Sequence, residues 1–357
     1  MINKIMLFLI GAFVILLILL FYLVDYLTIL EKVKKENTGN IIIKNNTIQF
    51  DSLTLRQKIA QMIVIKGKVK KNMYLTNLNI GGIYFYKQKS EEDYSNLIIA
   101  YQNSSKINLF VSADLEGIWN PFSEFQKFPK FSEIKTEEEA YNIGLEHGEI
   151  LKRIGFNLNF APVAEFSDNV YGGRVFAGTK KEVEEKLESY IKGLQKNVLG
   201  TCKHYPGKGM IKNLHITKDK QIISKEDLEL FDICIKNNIS AVMIGHQIVS
   251  GELNSNGKSS SVSKEVIDNL DNFSGLIISD EINMFGLKKF YLFDKKKLYK
   301  DLINSGENII LDFFLNPVST YKLILKIEEE VKKGEVDEDK IDQSVKKILM
   351  AKGYKIK

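Results

Sequence analysis

Asp114, the pair Lys203 and His204, His246, Asp280 and Asp312 each close a short apolar run in a chain of 357 residues. These side-chain types support a narrow set of chemistries. A carboxylate can attack an electrophilic carbon or accept two neighbouring hydroxyl protons. An imidazole can give and take a proton near neutral pH, and a lysine can donate to oxygen or form an imine. Other chemistries lack carriers in this sequence. The two cysteines, Cys202 and Cys234, form no CxxC and cannot make a disulfide framework, and the four histidines are widely separated, so no metal site is expected. There is no GxGxxG and no phosphate loop of the form GxxxxGKS or GxxxxGKT, so no organic cofactor is expected. A net charge of +5 spread along the whole chain does not point to nucleic acid.

The elements that must position these residues follow from the pattern around them. Short apolar runs occupy residues 81–86, 109–114, 157–162, 198–204, 240–246, the SSVS region at 260–263, 275–280 and 308–312. Between them lie charged stretches with helical spacing, such as 137–155 and 181–197. LTLRQKIAQMIVI at 53–65 reads as an amphipathic helix with Ser52 or Thr54 as its N-cap. Eight buried strands alternating with helices imply an α/β fold, a TIM-type (β/α)₈ barrel forming a single catalytic domain over residues 51–357. The strand-end polar residues would then gather at the C-terminal face, where such barrels work. Taken one at a time, a polar residue after a strand simply begins a loop; the repetition along the chain favours a site.

Residues 5–24 are uncharged and apolar, long enough at about 1.5 Å per residue to span a hydrocarbon core of about 30 Å. The apolar stretch exceeds a signal-peptide core, and no small-x-small cleavage site follows. We therefore expect residues 1–24 to be an uncleaved, single-pass transmembrane anchor and residues 25–50 a polar juxtamembrane linker. The lysines at 32, 34 and 35 lie on the body side of the anchor, so counting positive charge does not favour an exported body.

Several motifs together resemble glycoside hydrolase family 3, in particular its single-barrel β-N-acetylglucosaminidase (NagZ-type) subgroup. They are LTLRQKIAQM (53–62), VSADLEG (111–117), NLNFAPV (157–163), GGRVFAG (172–178), KHYPGKG (203–209), the SSVS segment, LIISDEINM (276–284) and IDQSVKKILMAKGY (341–354), in the family's order. The resemblance implies that Asp280 is the catalytic nucleophile and that His215, on a mobile loop, is the acid/base. It implies that Asp114, Arg174, Lys203 and His204 hold the sugar, with His246 supporting them. The aspartate that orients the histidine in the family is here Asn213, on a loop one residue shorter. Ile118, Lys208, Met210 and Glu281 also depart from the family pattern.

The expected activity is that of a retaining exo-β-N-acetylhexosaminidase that removes terminal β-linked N-acetylglucosamine from cell-wall-derived or other glycans. Its partners would be an amino-sugar glycan and the membrane, with a monomeric barrel placed extracytoplasmically because its substrate lies outside. The competing reading is a weakened or inactive membrane-anchored glycan-binding barrel, for which Asn213 is the argument. An imine enzyme acting through Lys203 would use the same fold and fits the motifs less well. Trp119 and Phe122 could stack on a sugar, although aromatic residues beside a loop more often pack locally.

Overall fold

A computed structural model describes residues 4–36, 41–67, 73–168, 171–208, 220–292 and 294–357. Its centre is a closed barrel of eight parallel strands: β1 (Ile63–Lys66), β2 (Gly82–Tyr84), β3 (Phe110–Ala113), β4 (Leu158–Asn159), β5 (Leu199–Tyr205), β6 (Ala241–Ile244), β7 (Leu276–Glu281) and β8 (Ile309–Leu311). They join in sequence order, and β8 closes on β1 through Ile310 opposite Ile63. Because both faces are covered, most of the strands are apolar without alternation: Val64, Val111, Val242 and Ile278 are all completely buried.

Two expectations change. The helix expected over 53–65 stops at Gln61, capped by Thr54 with Gln57 closing a capping box, and IVIK becomes β1. Its β-branched residues fit the pleated surface between β8 and β2, and that pairing overrides the helical spacing inherited from the preceding segment. SSVS is no strand but a single 3₁₀ turn, Ser260–Val262. There the Ser259 and Ser260 hydroxyls donate to the His246 and Gln247 carbonyls, tying the turn to the segment after β6 in place of a strand ladder.

The charged helices form as the spacing indicates, over Glu137–Ile154 and Lys180–Leu194, and lie against each other. Glycine lets them approach: a Cβ on Gly193 would stand 2.2 Å from the Tyr141 carbonyl oxygen. Cys202 in β5 and Cys234 in the helix Lys225–Lys236 are joined in a disulfide, pinning that helix to its strand. No framework of bridges exists, but the two cysteines do pair.

The segment expected as a linker over 25–50 has structure of its own. The N-terminal helix runs unbroken from Lys4 to Lys35, exposed along its apolar first part and docked along its last turns, where Val33 is completely buried. Ile43–Lys44 and Thr47–Ile48 then form a hairpin around Asn45 and Asn46, both at positive φ, and Thr47–Ile48 pairs with Lys355–Ile356.

Candidate active site

The C-terminal ends of the strands surround a cavity of about 750 Å³. β7 ends in Ser279–Asp280–Glu281, and the Asp280 side chain lines this cavity, 14% exposed. Its Oδ1 accepts the Glu281 backbone N–H at 2.7 Å, and Oδ2 lies 4.0 Å from His204 Nε2. Burial works against ionisation of Asp280, but the His204 and His246 rings, the Glu281 N–H and Lys203 outweigh it and hold the carboxyl below its ordinary value. At neutral pH Asp280 is a charged carboxylate facing a cavity, as a carboxylate nucleophile must be.

β5 supplies Lys203 and His204. Glu165, just beyond β4, accepts both the backbone N–H of His204 at 3.2 Å and its ring Nδ1 at 3.0 Å. A carboxylate oxygen only accepts, so Nδ1 carries the proton and Nε2 is the nitrogen presented towards Asp280. Lys203 Nζ lies 2.6 Å from Asp114 Oδ1 and 2.8 Å from Glu116 Oε2. Arg174 makes a two-pronged bond to Glu116 at 3.0 and 3.2 Å. Two cations and two carboxylates thus neutralise one another within the wall. Burial works against the charge on Lys203, but Asp114 and Glu116 hold its proton affinity above the ordinary value. A lysine kept so firmly cationic is a hydrogen-bond donor and a poor imine former.

Above this layer the Tyr84 ring stacks on Phe313, centroids 4.4 Å apart, and burial together with Asp114 keeps its hydroxyl protonated. Trp119 meets Tyr171 edge-on at 5.7 Å, and the Arg174 guanidinium lies over Tyr171. Glu281 receives N–H groups from Asn283 and Phe313, yet burial, with Asp312 close by, pushes it up to about 7.

Of the residues singled out from sequence, Asp114, Arg174, Lys203, His204 and Asp280 converge on the cavity. His246 does not line it. The carbonyl of Glu281 takes the Nε2–H of His246 at 3.1 Å, and Ser261 meets Nδ1 at 2.8 Å, so this histidine braces the tip of β7. Asp312 is completely buried behind the wall, held by Lys295, Asn283 and Tyr299. Phe122 is core, packed edge-on to Tyr94, while Trp119 faces the cavity. Asn213 and His215 lie outside the described residues. Glu165 and Tyr84 were not anticipated. Glu165 follows NLNFAPV by one residue, and its signal was a carboxylate just past a strand end. Tyr84 sits inside an apolar run and carried none.

The glycosyl hydrolase family 3 N terminal domain profile matches residues 54–351. A β-hexosaminidase of Haemophilus influenzae (strain ATCC 51907 / DSM 11121 / KW20 / Rd) is 26% identical over 277 residues, 70% of this chain and 78% of that protein. Among solved structures, a glycosyl hydrolase of GH3 family from Mycobacterium smegmatis superposes with a TM-score of 0.77 at 22% identity, covering 85% of this chain and 98% of its own. A family 3 β-N-acetylglucosaminidase from Paenibacillus sp. FPU-7 gives 0.76 at 22% identity, over 84% of this chain and 62% of its own. With a barrel of this form and an ionised aspartate at the tip of its seventh strand, the chain belongs to glycoside hydrolase family 3 and is a glycosidase.

Proposed function

We propose that the protein is a retaining exo-β-N-acetylhexosaminidase, anchored by its N-terminal helix with the barrel extracytoplasmic, acting on terminal β-linked N-acetylglucosamine of cell-wall-derived or other glycans. The observation that carries this reading is Asp280: an ionised, partly exposed carboxylate opening onto a cavity whose other wall is a neutral cluster of donors and acceptors. Asp280 attacks the anomeric carbon and the glycosidic C–O bond breaks. His215 gives its proton to the leaving oxygen, then takes one from the water that releases the sugar. Asp114, Lys203, His204 and Arg174 hold the hydroxyl and amide groups of the sugar.

The N-terminal helix is long and apolar enough to cross a membrane. The Cys202–Cys234 bond supports an oxidising compartment, where such bonds persist. The second reading, a glycan-binding barrel with weakened or lost catalysis, is favoured by Asn213, an amide that supplies no charge to stabilise an imidazolium on His215.

The test is turnover of a chromogenic β-N-acetylglucosaminide by the detergent-solubilised full chain and by Asp280→Asn. We expect release of the chromophore by the native protein and a loss of several orders of magnitude in the variant. Sugar binding without turnover in the native protein would establish the binding reading instead.

A further inference from the structure

The N-terminal helix lies against the barrel in a definite direction. Asp25, at the end of the apolar stretch, pairs with Lys322 at 2.7 Å. Lys322 is in the second turn of the helix Pro317–Lys332, which begins just after the C-terminal end of β8, the cavity end of the barrel. At its other end, the Lys34 carbonyl accepts from Asn77 at 3.2 Å and Glu36 meets Arg56 at 3.4 Å. Asn77 leads into the N-terminal end of β2, and Arg56 sits in the short helix leading into the N-terminal end of β1. From residue 25 to residue 36 the helix therefore descends the outer wall from the cavity end to the closed end. Lys4–Lys35 is one helix without proline, so residues 5–24 continue in the opposite sense, away from the barrel on the cavity side.

A separate observation concerns the loops at that end. Among the described residues beyond the N-terminal helix, most of the exposed large apolar side chains fall after the C-terminal ends of strands: Tyr86 after β2, Ile118 and Trp119 after β3, Phe285 and Leu292 after β7, Phe314 after β8. Leu292 is 83% exposed and Phe314 71%, and the Lys288 ammonium lies 5.0 Å from the Phe314 ring centroid. Exposed lysines such as Lys87 and Lys289 stand among them. Aromatic and aliphatic side chains interleaved with lysine suit the boundary between lipid headgroups and acyl chains.

From these two observations we infer that the barrel stands with its catalytic mouth towards the bilayer, the loops at the ends of β2, β3, β7 and β8 resting in the lipid headgroups. The inference rests on the membrane-anchor reading and adds the orientation. Its consequence for the substrate is definite: the cavity admits glycan ends presented at the surface of the membrane.

Trp119 is the one tryptophan of the chain and sits at the mouth, so it reports directly. The full chain is reconstituted into vesicles of phosphatidylcholine with some phosphatidylglycerol, containing a lipid with a nitroxide on its headgroup, and flotation establishes that the protein is bound. We expect Trp119 emission to fall by about half or more relative to vesicles without nitroxide, as for a ring at headgroup depth. A second reporter, Lys196→Trp in a Trp119→Phe background, places the fluorophore at an exposed site just before β5, at the closed end, and we expect it to be unaffected. Failure to float overturns the anchor reading and this inference with it. Floating protein with Trp119 unquenched overturns the orientation alone, whether Lys196→Trp is quenched or not, and leaves the mouth aromatics as sugar platforms.

Discussion

At the scale of single residues, the site depends on which groups hold charge and which neighbour holds them. Glu165 does not itself line the cavity, but it fixes the His204 ring that faces Asp280. Replacing it by glutamine leaves an acceptor without charge. We expect kcat/KM to fall about 10- to 100-fold. The acid limb of the pH profile should move to higher pH, because without the Glu165 charge behind it the His204 ring does less to hold the Asp280 carboxyl below its ordinary value; a purely structural role would leave that limb in place. Glu281 carries the opposite perturbation. Its folded pKa, raised to about 7, exceeds the ordinary 4.5 of the unfolded chain. It therefore contributes stability that is full below 4.5 and is lost as pH rises through 7. Glu281→Gln removes this dependence, so the variant should gain on the native protein by about 3 kcal/mol between pH 4.5 and pH 7.5, read from denaturant unfolding in detergent. Asp114, Lys203, His204 and Asp280, which line the cavity, were legible because each ends an apolar run. His246 and Asp312 end such runs too. Only their neighbours, Ser261 and the Glu281 carbonyl for one and Lys295 for the other, divert them to support.

At the scale of elements, local signals and tertiary pairing mostly agree. The helices over Glu137–Ile154 and Lys180–Leu194 have threonine N-caps, and they pack closely through Gly144 and Gly193. Gly193→Ala should destabilise the protein by about 1–3 kcal/mol in denaturant unfolding despite the better helix propensity of alanine. The new methyl meets backbone atoms of the facing helix rather than a side chain that could turn away. β1 shows where the signals conflict. IVIK continues the apolar spacing of the helix before it, and its strand character depends on partners far away in sequence: β8, some 245 residues on, supplies one edge. SSVS shows the converse, a segment expected as a strand whose serine hydroxyls donate instead to the His246 and Gln247 carbonyls after β6.

At the scale of the whole molecule, the N-terminal helix, the barrel and the C-terminal strand form one unit. Thr47–Ile48 bridges the entrance of the chain and its end at Lys355–Ile356. The Cys202–Cys234 bond, with a sequence separation of 32, removes conformational freedom from the unfolded chain worth about 3–4 kcal/mol. Peptide mapping under non-reducing conditions should find Cys202 linked to Cys234 in protein isolated from cells. The Cys202→Ala, Cys234→Ala double variant should unfold at lower denaturant by a comparable free energy. The first outcome accords with an oxidising compartment for the barrel.

The sequence alone determined the fold class, a helix of membrane length and four of the polar residues that face the cavity, Asp114, Lys203, His204 and Asp280. These rest on periodicity, length and strand-end position, which are properties of neighbours along the chain. Tertiary structure decided which strand begins the barrel, that two cysteines 32 positions apart meet, that Glu165 orients His204, and on which side of the barrel the N-terminal helix leaves. Each is a contact between segments far apart in sequence, set by how the barrel closes, and no local pattern encodes the distance across a closed barrel.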